Sequence, residues 1–237
     1  MEPGTVIIVT LTALLAAGLL VWGSASVRAS FYLSMRCRAE GAGHRVALTF
    51  DDGPDPERTP AVLDLLAQRG VRATFFLVGK RAETHPELVR RMVAEGHVVG
   101  NHSHTHAELF PLSSLRNTEE ELHRTTESLT RITGLRPRLF RPPFGVTNPT
   151  IARAVRRLGL VPVGWSIRSL DTVSRDPERV ATRILRRLHP GAVILLHDRC
   201  AGSDRLLDRL LDGLQKRGYE PTTIPELFDI EAYENHR

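Results

Sequence analysis

Cysteine is almost absent from this sequence, with Cys37 and Cys200 the only two in 237 residues. That excludes a disulfide scaffold, and spacing alone does not specify whether the two pair. Aromatic residues are scarce as well, at 5%. The basic pairs Arg90-Arg91, Arg156-Arg157 and Arg186-Arg187 have no aromatics interleaved between them, so a stacking platform for nucleic acid is excluded. The formal charge of +5, carried mostly by arginine, fits a solvated basic face with an anionic cell surface or membrane as neighbour. Repeats, low-complexity tracts and Gly/Ser linkers are missing too. With 41% hydrophobic and 25% charged residues, the chain beyond its apolar leader is one domain large enough for a full core.

One stretch lacks charge altogether. Thr5 to Gly23 is 19 residues long, near the roughly 20 that a helix needs to cross a bilayer. Trp22 and then Phe31-Tyr32 stand where interfacial aromatics are expected. Ser24-Ala25-Ser26 would suit signal cleavage, yet the stretch is long for a signal core and follows Glu2 rather than a basic residue. Residues 1–27 are therefore read as a membrane anchor, with a cleaved, secreted form as the alternative. Arg28, Arg36 and Arg38 follow the stretch, which by the positive-inside rule puts the domain in the cytoplasm. The chemistry below argues for the outside, and we side with the chemistry. Residues 28–43 read as a linker, 44–228 as the main domain and 229–237 as a tail. No feature specifies an oligomeric state.

Within the main domain, short apolar runs alternate with amphipathic stretches. The predicted strands are Arg45–Phe50, Ala73–Val78, His97–Asn101, Arg138–Arg141, Val161–Ser166, Ala192–His197 and Tyr219–Thr223. Helical stripes lie between them: Val62, Leu63, Leu65 and Leu66 after a Thr59-Pro60 start; Leu88, Val89, Met92 and Val93; Leu115, Leu122, Leu129 and Ile132; and Leu206 to Leu214. Strands alternating with helices imply parallel pairing with right-handed crossovers, in an α/β sheet either closed into a barrel or open. Active residues then belong just past the carboxyl ends of the strands. Five polar clusters fall there.

Asp51-Asp52 in TFDDGPD puts two carboxylates side by side at a strand tip, where they repel unless a cation or proton intervenes. In HSHTH, His102 and His106 are four apart, so one helical turn would aim both imidazoles at one point. Two histidines and a carboxylate, with Asp52 the natural third, form a ligand set of catalytic zinc. His104 points elsewhere on such a turn. RPPFG supplies Arg141 to hold Asp51, and backbone N–H groups at Phe144 and Gly145 to face an oxyanion. Asp171, after Trp165, could orient an imidazole. In ILLHD, His197 ends a buried strand, where it needs a partner. Its position on the rim suits a general acid.

These four motifs, in this order, resemble those of the polysaccharide deacetylase (NodB-homology) family of carbohydrate esterases, over about His44 to Phe228. The resemblance implies a distorted (β/α)7 barrel of parallel strands with outer helices, here preceded by an N-terminal apolar helix. It implies Asp51 as catalytic base, held by Arg141, and a divalent metal on Asp52, His102 and His106. Zinc comes first for that metal, with cobalt or manganese as alternatives. It further implies His197 as acid, tuned by Asp171, an oxyanion site near Phe144, and Leu195 lining the acetyl-methyl pocket. Trp165 is assigned to the substrate side as well. Thr172 and Arg168 depart from the family pattern, where a Trp follows the aspartate at the position of Asp171 and an acidic residue precedes it.

The expected activity is removal of N-acetyl groups from a peptidoglycan- or chitin-like glycan, with the acetylated glycan and a membrane as partners. The same site on an O-acetyl ester, sugar formamide or cyclic imide is the alternative, and a non-catalytic glycan binder is less favoured.

Overall fold

The protein is seen in a computed structural model that describes residues 2–174 and 176–234. The last three residues of the expected tail, 235–237, lie outside the described residues. Among those described there are eight short strands: β1 Arg45–Asp51, β2 Thr74–Leu77, β3 Val98–Asn101, β4 Leu139–Phe140, β5 Val161–Pro162, β6 Ile167–Arg168, β7 Val193–His197 and β8 Glu220–Thr222. All their pairings are parallel, in the order β5-β4-β3-β2-β1-β7-β6, with β8 beside the start of β1. The helices are α1 Pro3–Ala25, α2 Thr59–Gln68, α3 Gly79–Thr84, α4 Pro86–Ala94, α5 Leu115–Thr133, α6 Pro149–Arg157, α7 Pro177–Leu185, α8 Ser203–Lys216 and α9 Ile224–Phe228.

A parallel strand covered on both sides reads as an unbroken apolar run, and its alternate residues serve two different layers. In β1, Val46, Leu48 and Phe50 pack outward with Leu63 of α2 and Leu207 of α8. Ala47 packs inward with Phe76 of β2 and Val193 of β7. By the same alternation Thr49 and Asp51 share the inner face, and the register pairs them with Leu195 and His197 of β7. The inner face of the sheet therefore becomes polar at its carboxyl end.

The predicted strand Val161–Ser166 is cut short to β5, with β6 starting only at Ile167, because the chain there crosses from one edge of the sheet to the other. Val163 N–H donates to Phe140 O at the first edge (2.8 Å), and Ser166 N–H donates to Val193 O at the second (3.1 Å). The gap leaves backbone groups that need partners. Residues expected to be a linker supply them. Arg36 bridges Val163 and Arg38 bridges Ala192, while Leu33, Met35, Ala39 and Ala42 are buried. The segment 33–42 is thus part of the barrel wall.

Helix α1 has 23 residues with a mean hydropathy of 2.4 in its most apolar window and none of that window buried, so it is long and apolar enough to cross a membrane. It leaves the domain at Ser24, whose carbonyl accepts from Thr147 N–H at 3.0 Å. Val27, just beyond, is buried with Met35 and Phe110.

Gly191 is where the wall segment comes nearest the sheet. Its φ is +71°, and a Cβ there would lie 1.9 Å from Ala39 O. Gly191→Ala is expected to lower unfolding free energy by roughly 1–3 kcal/mol in urea titration. An unchanged midpoint would show that the segment does not seal the barrel.

Candidate active site

The site begins with the two aspartates at the tip of β1. Asp52 has a φ of +71°, a left-handed conformation that Asp tolerates better than most residues. The turn lets the adjacent carboxylates take different partners. Asp51 Oδ1 accepts from Arg141 Nη1 at 2.7 Å. Arg141 follows β4 and is fully buried; Nη1 also donates to Thr49 Oγ1 and Nη2 to Gly164 O, both at 2.8 Å. Its guanidinium lies 4.2 Å over the Phe76 ring. Burial pulls Arg141 below its ordinary pKa and the Asp51 charge opposes that. An arginine keeps its proton under these conditions.

Asp52 Oδ1 faces His102 Nε2 at 3.3 Å and His106 Nε2 at 3.2 Å. The expected helical turn is absent. Residues 102–106 form a loop in which Ser103 and His106 are left-handed, with φ of +63° and +52°. Asn101 braces this loop: its Oδ1 accepts from Ser103 N–H at 2.9 Å, and its Nδ2 donates to Leu122 O at 2.7 Å. Glu121 accepts from the His104 and Thr105 N–H groups. His104 itself is buried, with Nε2 3.9 Å from Glu83.

The His102 tautomer follows from its partner. Nδ1 lies 2.8 Å from Arg141 O, and a carbonyl can only accept, so Nδ1 carries the proton. When the ring is neutral, Nε2 presents a lone pair to a carboxylate oxygen, an arrangement that requires a cation between them. Burial and the His102 charge push His106 below its ordinary value, which favours its neutral, ligating form. When the rings are protonated instead, burial alone would raise Asp52, but the hydrogen bond then donated by His102 and the charges of His102, His106 and His197 hold it well below the usual carboxylate range. The observed separations are close to the ligand–ligand edge, about 3.3 Å, of a tetrahedral ion with bonds of about 2.0–2.1 Å. The donor set therefore fits a divalent metal.

His197 stands at the end of β7 on the other side of Asp51. Its Nδ1 is 2.8 Å from Asp171 Oδ1, and its N–H donates to Asp171 Oδ2, also at 2.8 Å. Ser169 Oγ donates to Asp171 Oδ1 at 2.8 Å. Burial works against the charged imidazole, yet the Asp171 hydrogen bond and charge outweigh it and raise His197 above its ordinary value.

Phe144 is about half exposed, left-handed at φ +60°, with its ring edge-on to His106 at 4.6 Å. Trp165 is half-buried beneath Gly145, where a Cβ would meet its ring at 2.4 Å. Leu195 is buried on the inner face beside Thr49.

Three residues to which the sequence assigned no role stand at this site. Arg199 Nε donates to Asp52 Oδ2 at 2.8 Å, so each oxygen of that carboxylate has its own partner. Asp198 is buried, accepts from Thr59 Oγ1 at 2.5 Å, and is pushed up to about 7 by burial. It lies where a Cβ on Gly53 would be, 2.4 Å from Asp198 Oδ2, so it props the loop after Asp52. Cys200 comes close to Asp171 and His197. Nothing in the sequence marks Arg199 or Cys200 apart from their place beside His197-Asp198. Both cysteines are free thiols.

This fold is that of solved deacetylases. The crystal structure of the Bc1960 peptidoglycan N-acetylglucosamine deacetylase, bound to an N-hydroxybenzamide, superposes with a TM-score of 0.79 at 33% identity, covering 84% of this chain and 95% of that one. The chain belongs to the polysaccharide deacetylase family, whose profile matches residues 38–163. It is 36% identical over 187 residues to a peptidoglycan-N-acetylglucosamine deacetylase of Bacillus cereus, covering 77% of this chain and 68% of that protein. It is 37% identical over 196 residues to a chitooligosaccharide deacetylase of Bradyrhizobium, covering 77% and 90%.

The Arg141–Asp51 pair gives a stability test. Arg141→Met leaves a buried carboxylate without its cation and is expected to destabilise the fold by about 3–5 kcal/mol in denaturant titration. Adding Asp51→Asn should return a large part of that loss. If the two changes simply add, the residues are not coupled.

Proposed function

We propose that this protein hydrolyses the acetamide of N-acetylglucosamine-type units in a peptidoglycan- or chitin-like glycan, releasing acetate. We further propose that it does so outside the cytoplasm, anchored by α1. The observation that carries the reading is the placement of Asp52 Oδ1 against two imidazole Nε2 atoms, with Asp51 alongside and held by Arg141 instead. The substrates named for the Bacillus cereus and Bradyrhizobium relatives support the choice of glycan. The apolar, unburied α1 and the aromatics Trp22 and Phe31 beside its exit support the anchor.

An amide is a poor electrophile with a poor leaving group, so its hydrolysis needs a Lewis acid, a base and an acid together. Asp52, His102 and His106 would hold the divalent metal, zinc first and cobalt or manganese as alternatives. When bound, it supplies the Lewis acidity that polarises the carbonyl and activates the attacking water. Asp51 takes the proton from that water. Arg141 keeps Asp51 ionised and aimed, since its other donors are fixed on Thr49 and Gly164. The backbone N–H at Phe144 donates to the oxyanion as the carbonyl carbon becomes tetrahedral. His197 gives its Nε2 proton to the amine as the carbon–nitrogen bond breaks, while Asp171 holds Nδ1. Leu195, on the same inner face as Asp51 and His197, offers an apolar wall for the acetyl methyl. Trp165 buttresses the Phe144 loop from beneath through Gly145.

Acetate release from defined N-acetylglucosamine oligomers should vanish with a chelator and return with one equivalent of zinc. Chelator-insensitive release would defeat the proposal. Asp51→Asn should lower kcat by about 10²–10⁴, a typical general-base contribution, with bound metal by elemental analysis unchanged.

The acid also leaves a mark on the pH profile. His197 must be protonated to act, and its pKa lies above the ordinary histidine value. The rate should therefore fall as pH rises through that raised value. Asp171→Asn removes the charge that helps raise it and leaves only a weaker, neutral acceptor, and should shift the alkaline limb toward lower pH. A profile that keeps its limb in the variant would show that His197 is not the acid.

A further inference from the structure

On the side of His197 facing Asp171 there is a second cluster of ligand atoms that the reaction above does not use as one. Asp171, His197 and Cys200 each offer one such atom, a carboxylate oxygen, an imidazole nitrogen and a thiol sulfur, all within 4.8 Å of one another. Two local turns bring them together. Leu170, left-handed at φ +62°, swings the chain into Asp171, and Cys200 N–H donates back to His197 O at 3.4 Å, folding the segment after β7 onto the strand end. Asp171 is buried, whereas His197 and Cys200 are partly exposed, so an ion can enter from solvent. Cys200 brings a sulfur to this set, which distinguishes it from the Asp52–His102–His106 trio.

We propose that Asp171, His197 and Cys200 form a second, inhibitory site for a thiophilic divalent ion such as Zn2+ or Cd2+. Sulfur, nitrogen and carboxylate oxygen together suit such ions, with a fourth position left for water. The ion replaces the proton between His197 Nδ1 and Asp171 Oδ1, whose 2.8 Å separation opens on binding toward the ligand–ligand edge of about 3.3 Å. Coordination forms one bond each to nitrogen, sulfur and oxygen and releases the Nδ1 and thiol protons to water, with no change of oxidation state. Burial pushes the Cys200 thiol up to about 11, so the ion competes with a proton and this is the weaker of the two sites. Once Nδ1 is held by a cation, the ring cannot become the imidazolium that gives Nε2–H to the amine. That inhibitory consequence rests on the reading of His197 as acid; the binding itself does not.

The full-length protein in detergent tests this with Co2+. After a first equivalent has filled the sulfur-free site, a second should produce a sulfur-to-cobalt charge-transfer band in the near ultraviolet. The band should persist in Cys37→Ser and be missing in Cys200→Ser. Excess zinc should inhibit acetate release from the wild type. Cys200→Ser should need about tenfold more zinc or higher for the same inhibition, the low end of what a lost metal partner changes. Its activity at one equivalent should match the wild type. A second equivalent that gives no sulfur band in wild type or Cys37→Ser overturns the site, even if Cys200→Ser fails to fold. Equal zinc sensitivity in wild type and Cys200→Ser overturns the inhibitory role. A band from a protein that releases no acetate under any condition would keep the site and remove the deacetylase reading.

Discussion

Two carboxylates end one strand in a nearly dry pocket, and each needs a separate positive partner. Side by side and unpartnered, Asp51 and Asp52 would share a proton, and neither would be free as base or ligand. The structure separates their fates through one backbone angle, the left-handed Asp52, which turns successive side chains to different neighbours. Asp51 goes to a buried arginine. Asp52 goes to a pair of imidazoles on one oxygen and to Arg199 on the other. The proposed chemistry divides along the same line, with Asp51 as the base and Asp52 as a metal ligand.

The parallel register makes that division reproducible. Asp51 lies beside His197 across the β1–β7 pair, and Asn101 at the end of β3 pairs with Phe140 of β4. The strand carrying the aspartates is thus flanked by the strand carrying His197, while the loop with the two histidines adjoins the strand that leads into Arg141. One hydrogen bond then spans the two halves of the site: His102 Nδ1 to Arg141 O. It fixes the tautomer of His102 with the backbone of the residue that holds Asp51. Disturbing Arg141 therefore reaches both groups, through its side chain at Asp51 and through its carbonyl at His102.

Much of this was legible in the sequence because the polar residues interrupt apolar runs at the strand ends. TFDD and ILLH mark their own rims, and His102, His106, Arg141 and Asp171 all lie within a few residues of a predicted strand end. What was hidden depends on tertiary contact. The i, i+4 spacing of His102 and His106 suggested a helix, but Asn101 and Glu121 hold those residues in a loop whose geometry no local pattern encodes. Arg199 looks like one more surface arginine until the turn after β7 brings it to Asp52. Thr59, read with Pro60 as the start of α2, is its first helical residue and donates its hydroxyl to Asp198, a partner 139 positions away. The wall segment did leave a trace: Leu33, Met35, Cys37 and Ala39 alternate with more exposed residues at the period of a strand.

That segment ties α1 to the chemistry. Gly164 O accepts from Arg141 Nη2, and Gly164 N–H donates to Arg36 O at 3.0 Å. A Cβ at Gly164 would stand 2.5 Å from Cys37 Sγ and 3.0 Å from Val27, so only glycine leaves room for the chain emerging from the apolar helix. The path from Val27 through Gly164 and Arg141 to Asp51 is continuous packing and hydrogen bonding, with no free linker in it. The orientation of Asp51 therefore depends on residues that immediately follow α1.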